Sequence, residues 1–281
     1  MLDVKDKRVV VVGLGTSGIA ACRLLVSRGA RVVGTDAKKP DAVSPEVRAL
    51  AADGVALVLG GHAGAFDGAD LVIVSPGVPV FPELTAAEAK GVRIWGEVEL
   101  AVRALAKPAP VIAIGGTNGK STTTSLVGAL LERAGKRTFV GGNLGEPLAA
   151  HADEPFDVVV LEVSSFQMER VDSFRPKVST LLNVSPDHLD RYPSEAAYAN
   201  AKGNAFVLQT GADVAVVPVG DAVCLRQAKR GQGRLVTFGE GGDVDVRPDA
   251  IASGNTAYPR AKIALQGGHN ALNVAAALAS V

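Results

Sequence analysis

The sequence predicts an α/β protein of two domains: an N-terminal Rossmann-like parallel sheet, then an α/β domain of the phosphate-loop (P-loop) type. Three observations carry this. Short, fully apolar, β-branched runs alternate with helical patterns, as in a parallel sheet covered on both faces. A glycine-rich turn, Gly13-Leu14-Gly15-Thr16-Ser17-Gly18, joins the first such run to the first helix. A second turn, Gly116-Thr117-Asn118-Gly119-Lys120-Ser121-Thr122, does the same after a break at Lys107-Pro108-Ala109-Pro110.

The elements follow in order. Strands are expected at 8–12, 31–34, 55–59, 71–74 and 92–94, and helices at 17–27, 45–52 and 82–90. Gly91 and Gly96 bracket the last of these strands, so the boundary is placed near Ile94, with a connecting helix over 97–106. This gives domains of 1–94 and 95–281. In the second, strands are expected at 111–114, 138–140, 158–161, 178–182, 214–217 and 235–238, with helices over 120–134 and 194–209. A small antiparallel addition is expected from 244–246 and 262–265, and an Ala-rich helix from Asn270 onward.

Composition narrows the function classes. The 281 residues suit two domains at roughly 150 residues each. Lys and Arg total 29 against 29 Asp and Glu, and 47% of residues are hydrophobic. A wholly disordered chain is excluded, as is a basic nucleic-acid platform. No apolar run approaches the roughly 18–20 residues of a membrane span. Cys22 and Cys224 form no framework and the first residues hold no apolar signal core, which points to a reducing, cytoplasmic setting.

The first glycine turn has the spacing G-x-G-x-x-G, and Asp36 ends the next strand. Small residues let a diphosphate approach free N–H groups at the helix N-terminus, and the acid suits a ribose, so NAD is the first reading. The second turn ends in Gly-Lys-Ser but carries Ile114 where the strict phosphate-loop pattern needs glycine, so the loop is shorter. Its chemistry is unchanged: backbone N–H groups hold phosphates, Lys120 neutralises charge and Ser121 can ligate Mg²⁺. Glu162 ends an apolar strand, where an acid is placed to hold Mg²⁺. His188 lies in a polar loop at the same edge, while Lys202 would by default be solvated helix surface.

Four stretches in this order, Gly116–Thr123, Glu162–Gln167 (E-V-S-S-F-Q), Asn183–Tyr192 (N-V-S-P-D-H-L-D-R-Y) and Gly268–Ala277, make the chain resemble the Mur ligases of peptidoglycan synthesis. The second and third stretches resemble the D-glutamate-adding branch. The resemblance implies a Rossmann-like domain that binds a uridine diphosphate sugar rather than NAD. Thr16 and Ser17 would then lie on the diphosphate, Asp36 at the uridine and Gly77 in the same crevice; Ala37 and Lys38 depart from the family pattern there. It implies an ATP-dependent amide ligase that joins D-glutamate to UDP-N-acetylmuramoyl-L-alanine through an acyl phosphate. Gly116–Thr122 and Lys120 would hold ATP, with Asn270 and Asn273 meeting the nucleotide and Asn143 the muramoyl-alanine part. Two Mg²⁺ ions would be served by Ser121, Glu162, His188 and a Lys202 carbamylated by CO₂. The partners implied are these small molecules alone, for a monomer bound to neither nucleic acid nor membrane.

The tail 274–281 shows no Gly, Asn or Pro stop signal, so the last helix is expected to run to Val281. The resemblance implies a third domain beyond it, which leaves this chain an inactive fragment. Alternative readings are another Mur ligase, a folylpolyglutamate synthase, an NAD-dependent dehydrogenase on the first motif alone, and a non-catalytic nucleotide-binding module.

Overall fold

The computed structural model describes residues 2–281, which divide into two compact units. The first comprises the chain up to Ala106 together with two excursions, Glu146–Glu154 and Arg170–Asp172. The second comprises Lys107–Gly145, Pro155–Glu169 and Ser173–Val281. The first unit thus extends past Ile94, and the helix expected as a connector packs inside it.

In the first unit, β1 (Arg8–Val12), α1 (Thr16–Ser27), β2 (Arg31–Asp36), α2 (Pro45–Ala49), β3 (Ala56–Leu59), β4 (Leu71–Val74), α3 (Pro82–Ala89), β5 (Arg93–Gly96) and α4 (Glu97–Ala104) follow in order. The five strands form a parallel sheet in the order β3-β2-β1-β4-β5. Central β1 explains its own sequence: Val9, Val10, Val11 and Val12 are all fully buried, so neither face of the strand tolerates a polar residue. The strand order reverses at β1, with β2 on one side and β4 on the other, which opens a crevice at the C-terminal ends of these strands.

The second unit holds β6 (Val111–Gly115), α5 (Lys120–Arg133), β7 (Thr138–Gly142), β8 (Val158–Glu162), α6 (Ser165–Met168), β9 (Val178–Leu181), α7 (Glu195–Gly203), β10 (Val214–Pro218), α8 (Ala222–Ala228), β11 (Arg234–Gly239), β12 (Val244–Val246), β13 (Ala250–Ser253), β14 (Thr256–Pro259) and α9 (Gly268–Ala279). Its nine strands run β14-β13-β12-β11-β10-β9-β6-β8-β7. Pairing is parallel up to β12 and antiparallel through β13 and β14. Here the reversal falls at β6, between β8 and β9, so three loops converge at one crevice: those after β6, β8 and β9. One core lies under α5 and α9, where Ala275 and Ala276 are fully buried and their small side chains let α9 lie close on the sheet.

Three expectations differ from the structure. The helix expected over 194–209 stops at Gly203, because the Asn204 side chain turns away to donate to the Met168 carbonyl at 2.9 Å. The antiparallel addition is β12-β13-β14: 244–246 forms β12 as expected and pairs antiparallel with β13, whereas 262–265 forms no strand and β14 takes its place. The last helix ends at Ala279, where Ser280 Oγ donates back to the Ala276 carbonyl and shares a hydrogen bond with Thr180 Oγ1, both at 2.7 Å. Among the described residues, no helix is long and apolar enough to cross a membrane.

Candidate functional site: two glycine-rich turns

In the first unit, the turn between β1 and α1 is built by close approach. A Cβ on Gly18 would collide with the Gly13 carbonyl oxygen, whereas a Cβ on Gly15 would meet nothing within 4 Å. Gly15 is the N-cap of α1 and no side chain caps it, so the first-turn N–H groups of α1 face an open space. That space is a cavity of about 830 Å³ lined by Gly15, Thr16, Asp36 and Lys38 among others. Ser17 and Gly77, expected beside them, do not line it. The Asp36 carboxylate is engaged by backbone: Oδ2 accepts from Leu14 N at 2.8 Å and Oδ1 from Lys38 N at 2.9 Å. It therefore shapes the turn as well as bordering the cavity. The opposite wall is Glu146, Pro147, Ala149, Ala150 and Asp153 from the first excursion, which sequence reasoning missed. No local pattern marks that stretch, because its role comes from where the chain returns.

In the second unit, the loop after β6 opens α5, whose N-cap Gly119 has a left-handed φ of 84° and no side-chain cap. Lys120 Nζ folds back on the Thr117 carbonyl at 2.8 Å. Ser121 Oγ donates to Glu162 Oε2 at 2.7 Å, and Asn143 Nδ2 donates to Glu162 Oε1 at 2.8 Å. Glu162 is 3% exposed, so it is a buried carboxylate with each oxygen held by a neutral donor. Three expected residues, Ser121, Asn143 and Glu162, are thus brought together at the ends of β7 and β8. An oxygen-only pair of hydroxyl and carboxylate at a phosphate turn suits a hard cation that keeps several waters and phosphate oxygens. Among the described residues no cluster of three or more His, Cys, Asp or Glu could hold a metal, so any cation here would rely on those outside ligands.

Lys202 is not solvated surface. It is 6% exposed, its Nζ donates to the Gly116 carbonyl at 2.8 Å, and it lies 4.5 Å from the Tyr198 ring centroid. Burial, reinforced by the positive charge of Lys120, brings its pKa down to about 7. Tyr198 gathers the neighbourhood: its hydroxyl lies 3.3 Å from Thr117 Oγ1, and the His188 ring packs edge-on against it with centroids 6.0 Å apart. His188 holds a left-handed φ of 52°, uncommon for a residue with a Cβ, and stands 3.6 Å from Asp187. Asn183 opens the Asn183–Tyr192 stretch, and the sequence marks no separate role for it. Its Oδ1 accepts from Thr117 N at 3.1 Å and Asn118 N at 2.9 Å, and its Nδ2 donates to the Asn118 carbonyl at 3.0 Å.

Beside the loop lies a second cavity of about 550 Å³, lined by Asn118, Gly119 and Thr122 on one side and His269, Asn270 and Asn273 on the other. Asn273 Oδ1 rests so closely on Gly119 that a Cβ there would collide with it. Asn270 and Asn273 are linked side chain to side chain at 3.4 Å, so the expected pair does share one face of α9.

Residues 7–96 match the family described as Mur ligase MurD-like, N-terminal domain, and residues 114–281 match the Mur ligase middle domain. A UDP-N-acetylmuramoylalanine--D-glutamate ligase of Anaeromyxobacter dehalogenans is 52% identical over 86% of this chain and 53% of its own length. Relatives with the same description from Acidobacterium capsulatum and Myxococcus xanthus are 41% and 43% identical over 99% and 98% of this chain, and 63% and 64% of their own. The chain thus spans between about half and two thirds of the length of these relatives. A solved UDP-N-acetylmuramate:L-alanyl-gamma-D-glutamyl-meso-diaminopimelate ligase from Neisseria meningitides shares the fold, with a TM-score of 0.64 at 21% identity, covering 97% of this chain and 91% of that one. A MurF ligase from Thermotoga maritima, solved in complex with ADP, has a TM-score of 0.53 at 18% identity, covering 98% of this chain and 60% of that one. With a family match spanning more than half its residues, the chain belongs to the Mur ligase family.

Proposed function

We propose that this chain supplies the sugar-nucleotide and ATP sites of an ATP-dependent ligase that adds D-glutamate to UDP-N-acetylmuramoyl-L-alanine in cytoplasmic peptidoglycan precursor synthesis. The observation that carries this reading is the buried Ser121–Glu162–Asn143 arrangement beside the Gly116–Ser121 loop. It offers phosphate donors, a cation ligand pair and a substrate-side amide at one sheet edge. An NAD site would need only the first turn and leaves this arrangement without a purpose.

A carboxylate is a poor electrophile, so its amidation needs activation as an acyl phosphate, and negative charge develops at each step. Lys120 and the first amides of α5 would take the nucleotide's phosphates. Mg²⁺, held by Ser121 and Glu162, with a second ion served by His188 and a carbamylated Lys202, would supply further charge neutralisation. In the first unit, Thr16 and the open N-terminus of α1 would hold the diphosphate of the sugar nucleotide, with Ser17, Asp36 and Gly77 around it. In the second, Asn143 would meet the muramoyl-alanine part, and Asn270 and Asn273 the ATP base and sugar.

The environment of Lys202 supports carbamylation. CO₂ attack requires a neutral amine, and a pKa near 7 leaves much of it neutral at physiological pH. The carbamate keeps one N–H, so the bond to the Gly116 carbonyl can survive while two oxygens are gained.

Titration calorimetry of this chain with ATP and Mg²⁺, and separately with UDP-N-acetylmuramoyl-L-alanine, tests the reading. Both should bind, ATP more tightly with bicarbonate present, and native mass spectrometry of those samples should show one added CO₂ lost in Lys202→Met. Absence of heat with both ligands, or binding of NADH instead, would refute the reading. A plain Lys202 under bicarbonate removes the carbamate from it.

A further inference from the structure

The phosphate loop here is two residues shorter between its glycines than the strict pattern, with only Thr117 and Asn118 between Gly116 and Gly119. Backbone amides and carbonyls withdrawn from water must find partners, and a shorter loop has fewer of its own to offer. The partners in this structure are side chains. The Gly116 carbonyl takes Lys202 Nζ, the Thr117 carbonyl takes Lys120 Nζ, and the Asn118 carbonyl takes Asn183 Nδ2, at 2.8, 2.8 and 3.0 Å. The Thr117 amide is shared between the Asn183 carbonyl at 3.0 Å and its Oδ1 at 3.1 Å, and the Asn118 amide goes to the same Oδ1 at 2.9 Å.

Of these three side chains, two are cations with another role to play. Lys120 must leave the Thr117 carbonyl to meet a phosphate, and Lys202 changes character if modified. Asn183 is neutral, stands just past the end of β9 beside the loop, and makes three bonds to it with one carboxamide. We propose that Asn183 is a positioning residue for the phosphate loop: its carboxamide substitutes for the backbone the shortened loop lacks and settles which amides remain for phosphates. The inference rests on the ATP reading above.

The consequence is specific. Because the amides of Thr117 and Asn118 are already engaged, they cannot cradle phosphates as the corresponding amides of a longer loop do. The donors left include the amide of Gly119 and those of Lys120, Ser121 and Thr122, which open α5 and have no intrahelical acceptor. Asn183 lines the same cavity as Asn270 and Asn273, but all three hydrogen bonds of its carboxamide go to the loop, so its effect on phosphates runs through the loop's shape. Its loss should therefore weaken nucleotides in proportion to the phosphates they bring to the loop.

The experiment compares the affinities of the parent chain, Asn183→Ala and Asn183→Leu for ATP and for AMP, with Mg²⁺ present, by titration calorimetry. Leucine keeps the branched outline, though it is bulkier, and removes every side-chain hydrogen bond, whereas alanine removes the same bonds by truncation, so agreement between the two guards against a simple packing defect. The ratio of ATP affinity to AMP affinity should fall by about ten- to a hundredfold in either variant, the range expected for three lost hydrogen bonds. A ratio equal to the parent's overturns the inference, even if both affinities drop together. Failure of both variants to fold overturns it too, since Asn183 would then carry the fold rather than the loop. A parent chain that binds no ATP overturns the ATP reading itself, a result the variants alone cannot produce.

Discussion

Glu97 opens α4, where an acid in the first turn meets the positive end of the helix, and by that rule it looks ordinary in the sequence. In the structure it is 1% exposed, and neither carboxylate oxygen reaches hydrogen-bond geometry with any described group. Burial pushes its pKa up to about 7, against a smaller opposing effect from the Ala149 amide. The folded protein thus holds this proton more tightly than the unfolded chain, where the pKa is about 4.5. Stability is therefore fullest below about pH 4.5 and is lost as pH rises through 7. The loss approaches about 3 kcal/mol well above pH 7. Glu97→Gln removes this dependence. Its stability relative to the parent, from urea unfolding, should rise by about 2–3 kcal/mol between pH 5 and pH 8. A difference that stays constant across that range would show that Glu97 does not titrate there. The same limit on legibility applies to Lys202. Its place on α7 reads as solvated surface, and only the packing around Gly116 and Tyr198 turns it into a buried amine. The positions of Glu162 and Ser121 were legible because a strand end and a helix start show directly in the sequence.

At the scale of elements, the parallel strands were legible because burial on both faces leaves an unbroken apolar run, as in β1, β4 and β8. The β13–β14 hairpin carries its own signal in the sequence, although the expected strand lay at 262–265 instead. Ser253 pairs with Thr256, so Gly254-Asn255 is a two-residue turn, a strong hairpin signature in a sequence. Gly254 alone of the two has positive φ, at 54°, which fits a turn whose first central residue must be glycine. The short helix α6 carried its own mark as well, a capping box between Ser164 and Gln167. The length of α7 was not legible, because its stop depends on Asn204 finding the Met168 carbonyl, a partner distant in sequence. Gly254→Val tests the hairpin assignment. A β-branched residue at that φ should cost about 1–2 kcal/mol, confined to the sheet edge. Hydrogen exchange should accelerate at the amides of β13 and β14 and stay unchanged in β6 and β8. Equal protection in parent and variant would mean the turn does not need glycine.

At the scale of the whole chain, the two units are interleaved in sequence, which no local pattern announces. The chain leaves the first unit at Ala106, returns for Glu146–Glu154, leaves, and returns again for Arg170–Asp172. Each return is tied down within that unit. Ala106 N donates to the Ala152 carbonyl at 2.8 Å and Arg28 pairs with Asp153 at 2.7 Å. Gly96 N donates to the Arg170 carbonyl at 2.7 Å, and Asp172 N donates to Glu99 at 3.0 Å. The first return also forms a wall of the 830 Å³ cavity, through Glu146, Pro147, Ala149, Ala150 and Asp153. A fragment of residues 1–106 would therefore keep all five strands of its sheet and still lack that wall. The faces of α1 and α4 that pack against the segment around Ala149 would meet water. Local propensity and sheet topology alone would judge the fragment complete; the interleaving says otherwise. Expressed by itself, 1–106 should melt at a lower temperature than the 281-residue chain and bind a hydrophobic dye. It should also bind uridine diphosphate at least about tenfold more weakly by calorimetry, because a cavity missing one wall buries less of its ligand. Adding the 146–154 segment back on a flexible linker from Ala106 should recover part of both losses, whereas a scrambled segment should recover neither. A fragment that already matches the full chain in melting temperature and affinity would show that the returning segment rests on the first unit without completing it.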